Sequence, residues 1–383
     1  MRFYTFVLRN IFRRRVRSTL TMTGMAVAVG AVVALVGISR SFEESLLDLY
    51  QRRGVALVVS CTHQINPLSG AMKEQVGTEI AKLDGVEGVC PGLVDVLSFE
   101  NLGSQSIIVQ GWPSWTYMYG ELKMLQGECL SDKFEGSRAI MLGRDLAENA
   151  KLKLGDKVSM SDEGFQVVGI YESQVDMENG MAVMLLKDAQ KLTGKPGQIT
   201  GCTVRVKDSS PAGIEKVRLL IEGEVAEKVR EKGNLKAKPP SDFVKSNTQI
   251  RAAKAMAWMT SAIALFIGLI FVLNTMIMSV FERTREIGIL RAIGWRPARV
   301  MRMILLESVL LSLGGAIIGT LGGLGLVWVL SRLPAVNGAI QGNVSPKIIF
   351  EAFAIAITVG LIGAAYPAYR GASLLPTEAL RHE

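Results

Sequence analysis

FERTREIGILRAIGWRPARVMR, Phe281 to Arg302, is a short charged stretch held between two segments too apolar for water. Ala255 to Phe281 runs 27 residues without a formal charge, and Ser308 to Ser331 runs 24. Each exceeds the roughly 20 apolar residues a helix needs to cross a bilayer, so the stretch between them reads as a membrane-surface loop. Its six arginines (Arg283, Arg285, Arg291, Arg296, Arg299, Arg302) stand against Glu282 and Glu286. Short Arg-rich loops are retained on the cytoplasmic side, and the partner of this loop is accordingly expected in the cytoplasm.

Two further runs lack charge, Ser18 to Ser39 over 22 residues and Ala352 to Tyr369 over 18, giving four expected spans. The net charge of +8 invites a nucleic-acid reading, but its placement argues against one. Residues 1–17 carry +6 and the central loop +4, whereas Arg40 to Lys254 holds 27 basic and 29 acidic residues. The arginines therefore mark one side of a membrane and do not form a groove for phosphates. The first apolar run is longer than a signal-peptide core, and Gly37-Ile38-Ser39-Arg40-Ser41 offers no A-x-A cleavage site, so it reads as a retained helix.

The chain then divides as follows: a basic N-terminal helix at 1–17, span 1 at 18–40, an extracytoplasmic domain at 41–254, span 2 at 255–281, and a cytoplasmic loop at 282–302. Span 3 at 303–331, an external loop at 332–347, span 4 at 348–369 and a cytoplasmic tail at 370–383 complete it. Both termini are expected inside. The first segment, with Phe3, Phe6, Ile11 and Phe12 among arginines, suits a helix lying on the membrane surface against lipid, or equally a plain extension of span 1.

The fold class expected is membrane α-helical, with four spans, plus an α+β extracytoplasmic domain made of an α/β subdomain with a β-rich insert at about 111–200. In that domain Val55–Ser60, Gly92–Phe99, Gln105–Gln110 and Cys202–Val206 read as strands, Ala71–Leu83 and Pro211–Glu231 as helices, and Ala139–Leu142 leads into a short helix near Asp145–Ala150. Lys157–Met160 and Phe165–Tyr171 suggest a hairpin turning at Asp162-Glu163-Gly164. From Ser241 onward one unbroken helix is expected to run into span 2 as a stalk.

Few residues suit catalysis. No G-x-x-x-x-G-K-[ST] is present, so the chain has no P-loop of its own, and with only His63 and His382 a His-based metal cluster or triad is disfavoured. No metal site is expected. Cys61, Cys90, Cys129 and Cys202 allow disulfides outside the cytoplasm, but small buried thiols are the simpler reading. The run from Trp112 to Tyr119 reads as a packed turn before it reads as a lipid site. Gly315, Gly319 and Gly323 align small residues on one face of span 3, a seam within the chain or across a dimer, and Asn274 is a candidate interhelical hydrogen-bond donor. Glu307 lies about one turn inside span 3, where it would snorkel, pair with a loop Arg or serve a function.

ERTREIGILRAIG, Glu282 to Gly294, closely resembles the signature of the FtsX/MacB superfamily of ABC transporter permeases. RNIFRRRVRSTLTMTGMAVAVG, the Gly-rich third span and YPAYRGASLLPTEALRHE agree with it, and AIMLGRDLAENAKLKLGDKVSM with FQVVGIYES is similar to the family's extracytoplasmic domain. The resemblance implies a non-catalytic subunit of a homodimer or paralogous heterodimer in a bacterial inner membrane. It would be served by a separate cytoplasmic ABC ATPase that binds the ATP and Mg, with no cofactor held by this chain. Glu282, Arg283, Arg285, Glu286, Gly288, Arg291 and Gly294 would form the ATPase-coupling element, its polar face toward the ATPase and its apolar face (Ile287, Ile289, Leu290, Ile293) against the membrane helices. The implied activity is ATP-driven export or extraction of a lipid, lipoprotein, peptide or amphipathic drug. The alternative is an FtsX-type transducer acting on an external partner such as a cell-wall hydrolase. A periplasmic adaptor or binding protein is a further partner open to it; no nucleic acid is expected.

Overall fold

The computed structural model describes residues 15–61, 72–100, 105–231, 234–331 and 345–374. The expected surface helix up to residue 14, His63, His382, most of the loop 332–347 and the tail from 375 lie outside these. Helix α1 runs from Arg15–Ala31 through a π-helical turn, Val32–Val36, into Gly37–Arg52. It thus continues well past residue 40, because Phe42, Leu46 and Leu49 recur at helical spacing on an otherwise polar segment and have a core to pack on. Then follow β1 (Leu57–Cys61), β2 (Met72–Lys73), α2 (Gln75–Ala81), β3 (Val86–Phe99), β4 (Gln105–Trp112), β5 (Lys123–Gly127), β6 (Ala139–Gly143) and α3 (Arg144–Ala150). After these come β7 (Lys157–Met160), β8 (Glu163–Glu172), α4 (Asp176–Asn179), β9 (Ala182–Leu185), α5 (Leu186–Leu192), β10 (Gln198–Ile199), β11 (Gly201–Val206) and α6 (Pro211–Leu220). The last elements are β12 (Leu235–Lys238), α7 (Pro240–Ser246), α8 (Thr248–Glu282), α9 (Thr284–Ala292), α10 (Pro297–Leu330) and α11 (Pro346–Ser373).

Two compact units result. One holds Met1–Ser41, Ala253–Val329 and Gly342–Glu383; the other holds Phe42–Ala252 and Leu330–Gln341. The second is built on one mixed sheet in the order β12-β1-β11-β3-β4-β9-β6-β8-β5, with β7 between β3 and β8. Strand β3 belongs to both halves: Val86–Gly92 pairs with β11, and Leu93–Phe99 pairs with β4. Strand β4 crosses the expected border near 111 and pairs with Leu93–Phe99, so the β-rich part begins near Leu93.

Two other expectations shift. The β7–β8 hairpin turns on Ser161-Asp162, both at positive φ (50° and 66°), which matches the twist of a two-residue hairpin loop better than the three-residue turn read from Gly164. The stalk is also interrupted, since α7 ends before Asn247, whose extended backbone (ψ 119°) stops it. The Asn247 Oδ1 accepts the amides of Gln249 at 3.0 Å and Ile250 at 3.3 Å, capping the start of α8.

The helical unit contains, with α1, four helices long and apolar enough to cross a membrane: α1, α8, α10 and α11. Its core joins Met25, Val29 and Val33 of α1 to Val272 and Met276 of α8, Met303 and Leu311 of α10, and Ala356 and Ala364 of α11. The α10 glycines seat against α1. A Cβ on Gly315 would stand 2.7 Å from that of Met25, one on Gly323 would stand 3.0 Å from the Gly30 carbonyl, and one on Gly319 would collide with the Ala26 carbonyl. The seam is thus within the chain. Helix α11 makes a second one from Ala352, Ala356, Gly360, Ala364, Ala368 and Ala372, all buried at four-residue spacing. Ser308 Oγ crosses it to the Gly360 carbonyl at 2.8 Å.

Asn274, by contrast, faces outward and has no hydrogen-bond partner among the described residues, because Val272, Thr275 and Met276 occupy the buried side of α8. Gly319→Val is expected to cost about 1–3 kcal/mol by overpacking and to lower the melting temperature of the detergent-solubilised protein. Gly322→Val, at a site with nothing within 4 Å, should leave it unchanged.

Candidate functional site

Between α8 and α9 the helix breaks at Arg283, with φ −112° and ψ 13°. The break turns its side chain inward, where it is 6% exposed. Nη1 donates to Glu307 on α10 at 2.8 Å, and Nε reaches Glu286 at 3.4 Å. A guanidinium does not lose its proton in a protein, so its burial requires an anion, and Glu307 supplies one. Removing either partner would strand a buried charge.

Helix α9 then packs Ile287, 2% exposed, and Gly288 into the same core. It ends in a Schellman motif. The Trp295 amide bonds the Leu290 carbonyl at 3.0 Å and that of Gly294 bonds Arg291 at 3.1 Å, with Gly294 at φ +101°. Pro297 opens α10 directly after.

Two of the expected roles change. Arg283 is not on the solvent face, because it is the residue that pins α9 to α10. The expected apolar face is also split. Ile287 is buried and Leu290 half-buried, whereas Ile289 and Ile293 are 44% and 74% exposed. Nine residues form only two and a half turns, too few to cover an apolar stripe once Arg283 and Ile287 have taken the packed side. The accessible face of α9 thus combines Arg285 and Glu286 with Ile289 and Ile293, a mixture that suits a protein groove. Glu282 is exposed at the end of α8. Arg291 is half-buried, its Nη1 on the Trp295 carbonyl at 3.1 Å. Gly288 is buried, and Gly294 is the exposed helix stop.

A second buried pair, missed in the sequence, lies in the sheet unit where α1 ends. Gly54 (φ +59°) closes the helix by the same motif, with Val55 N to the Tyr50 carbonyl at 2.9 Å and Gly54 N to that of Gln51 at 3.0 Å. Arg53 is thereby turned inside. Its Nη2 meets Glu178 Oε2 at 2.5 Å, and its guanidinium lies 5.5 Å from the Trp112 ring centroid. Glu178 also accepts from Ser173 Oγ at 2.6 Å, and the Arg53 carbonyl accepts from Arg205 Nε at 2.6 Å. Around it Phe42, Leu46 and Leu49 pack on Ile108, Val175, Met177 and Met181. The end of α1 is therefore anchored in the β-rich part. The segment leading to α8 is anchored in the other part, through β12 pairing with β1. The two stalks touch at Tyr50 and Phe243, whose rings meet edge to face at 6.3 Å. No local pattern links residues 125 apart; the one signal available in the sequence is Gly54 after an amphipathic helix, which marks the helix end.

The aromatic run is a packed turn: Trp112 is 3% exposed and meets Tyr119 edge to face at 5.6 Å, while Trp115 stays exposed. The four cysteines are unpaired with one another, Cys90 and Cys202 being buried. Burial pushes the Cys90 thiol up to about 12 and that of Cys61 up to about 11, which suppresses thiolate chemistry at neutral pH. Among the described residues no group of three or more His, Cys, Asp or Glu could hold a metal ion.

Residues 18–218 match the MacB-like periplasmic core domain, and residues 258–376 match the FtsX-like permease C-terminal family. The chain belongs to the FtsX/MacB family of ABC transporter permeases. It is 27% identical to the uncharacterized ABC transporter permease MJ1507 of Methanocaldococcus jannaschii, over 99% of this chain and 97% of that one. It is 24% identical to the uncharacterized ABC transporter permease YknZ of Bacillus subtilis, over 98% of each. To the macrolide export ATP-binding/permease protein MacB of Nitrobacter winogradskyi it is 26% identical over 95% of its length, while spanning 58% of that protein. As a permease of this type with four apolar helices, it is a membrane protein with a large extracytoplasmic domain between the first and second.

The Arg283–Glu307 pair yields a direct test. Glu307→Ala leaves the guanidinium buried without its anion and should destabilise the permease by about 3–5 kcal/mol. Arg283→Met combined with Glu307→Leu should be markedly milder in a thermal-unfolding assay. Equal losses in both variants would contradict the pairing.

Proposed function

We propose that this permease is the transmembrane subunit of an ATP-driven complex in which a separate cytoplasmic ATPase, holding the ATP and Mg, seats on α9 and moves the extracytoplasmic domain. The observation that supports it best is the Arg283–Glu307 pair. A nine-residue helix has little stability of its own, so a push on Arg285, Glu286, Ile289 and Ile293 would simply melt or swing it. Pinned to α10 and followed through Arg283 into α8, it can hand that push to a helix of 35 residues, about 50 Å long at 1.5 Å per residue.

On this reading both termini and α9 face the cytoplasm, the net +4 of the loop meeting the positive-inside rule. The membrane is the cytoplasmic one. A second permease subunit, identical or paralogous, completes the complex. The outward amide of Asn274 supports that partner, since a polar group on a lipid-facing helix gains from another chain to bond with.

The movement itself would work on the extracytoplasmic domain. Helix α1 ends in its β-rich part and the α8 stalk in its α/β part, so a relative shift of the two stalks would strain the domain along β3. Such work at the outer membrane face suits extraction or export of an amphipathic cargo, a class that includes the macrolides in the name of the MacB relative. The two-part domain favours this over a transducer that only activates an external partner.

Purified with its cognate ATPase, the Arg285→Ala/Glu286→Ala variant should fold normally, because both side chains are exposed and Arg283 keeps its closer partner Glu307. It should lose most of its complex formation and at least tenfold of its ATPase stimulation, corresponding to roughly 1.4 kcal/mol or more. Full retention of both would sink the assignment.

A further inference from the structure

The loop after α9 differs in character from α9 itself. Arg296, Arg299 and Arg302 are all exposed, and none has a carboxylate partner among the described residues. Exposed Lys123 and Lys228 each have a carboxylate beside them, Glu172 and Glu224, whereas these three arginines are clustered without one. Three uncompensated arginines at three-residue spacing lie close together along one side of the first turns of α10. They repel one another until an external anion arrives.

Trp295 fixes where that anion would sit. The Schellman turn holds its backbone, and Arg291 Nη1 binds its carbonyl at 3.1 Å. Its ring packs against the core of the helical unit, and the Arg299 guanidinium stacks on it, 4.4 Å from the ring centroid. A Trp whose ring rests on membrane-crossing helices while carrying a cation on its face has the arrangement of a residue at headgroup depth. Stacking also orients the guanidinium plane and leaves its edge N–H groups free to donate to phosphate oxygens. From Pro297 the same helix passes within three turns into the apolar segment that starts at Ser308. Phosphate chemistry and acyl-chain chemistry therefore adjoin on one element.

We propose that Trp295 to Arg302 is a docking surface for anionic phospholipid headgroups. Arg296, Arg299 and Arg302 bind the phosphates and Trp295 sets the depth. The loop is thus divided by Gly294: α9 faces a protein, and the segment beyond it faces the membrane. The lipid contact itself does not depend on the ATPase assignment; only the role given to α9 does. Anionic lipid bound here would hold the start of α10 at a fixed depth, so that movement of α9 is measured against the bilayer surface.

The test uses the full-length permease in neutral detergent, with phosphatidylglycerol or phosphatidylcholine added and the retained lipid counted by native mass spectrometry. The wild type should retain phosphatidylglycerol preferentially, and less so as salt rises. Arg296→Gln/Arg299→Gln/Arg302→Gln should weaken that preference by about fivefold per arginine removed, with unfolding temperature unchanged. Arg285→Gln, on α9, should retain lipid as the wild type does. If the triple variant fails to fold, Arg302→Gln alone carries the same comparison. Undiminished phosphatidylglycerol preference in the arginine variants would overturn the proposal. So would an equal loss in Arg285→Gln, which would mean that charge anywhere on the loop suffices. So too would an unchanged lipid preference accompanied by loss of ATPase binding, which would assign the surface to a protein.

Discussion

A buried guanidinium must have an anion beside it, and in this permease that requirement shapes the region on which function is proposed to turn. Arg283 sits where α8 would otherwise run on into α9. Its inward turn breaks the helix, and Glu307 on α10 receives it at 2.8 Å. The orientation of α9, the choice of Ile287 over Ile289 as the packed isoleucine, and the exposure of Arg285 and Glu286 all follow from that placement. A buried pair of this kind adds little net stability over apolar residues of the same shape. What it adds is a single permitted position, since any slip of α9 would separate the charges.

The same device recurs in the sheet unit. There Arg53, at the C-terminal end of α1, is buried against Glu178 and Trp112. In both places a glycine at positive φ closes the helix by a Schellman motif, Gly54 after α1 and Gly294 after α9. At the end of α1 the satisfied backbone and the buried charge coincide, whereas around α9 they sit at opposite ends, Arg283 at its start and Gly294 at its stop. The proposed function would need such junctions, because a hinge that yields at the point of attachment transmits nothing.

Much of this was legible in the residues. The four spans follow from uncharged runs of bilayer length, and the Gly294-then-Pro297 order marks the break between α9 and α10. The small-residue face of Gly315, Gly319 and Gly323 was readable, and the same spacing from Ala352 to Ala372 was equally readable but is easily passed over because alanine is common in any apolar helix. Other features depended on tertiary context. Glu307 could be seen as anomalous but its partner could not be chosen among six arginines. Nothing in the sequence marks Arg53 and Glu178 as a pair, since they are 125 residues apart and each lies in a polar neighbourhood. Strands β5, β9 and β12 are short and lack the alternation or length that distinguishes a strand in isolation; they form because β8, β4 and β1 offer them ladders. Asn274 shows the limit in the other direction, since only the packing of its neighbours reveals that it faces away from the bundle.

On the proposed function, force entering at α9 alters the relation between the two stalks of the extracytoplasmic domain. The most direct measurement is the distance between spin labels at Asp48, on α1, and Lys245, on α7, both exposed, taken in the complex assembled with its ATPase. The distance distribution is expected to shift when ATP is trapped, to return on hydrolysis, and to cease responding in Glu307→Gln. Identical distributions with and without nucleotide in a complex that is hydrolysing ATP would contradict it.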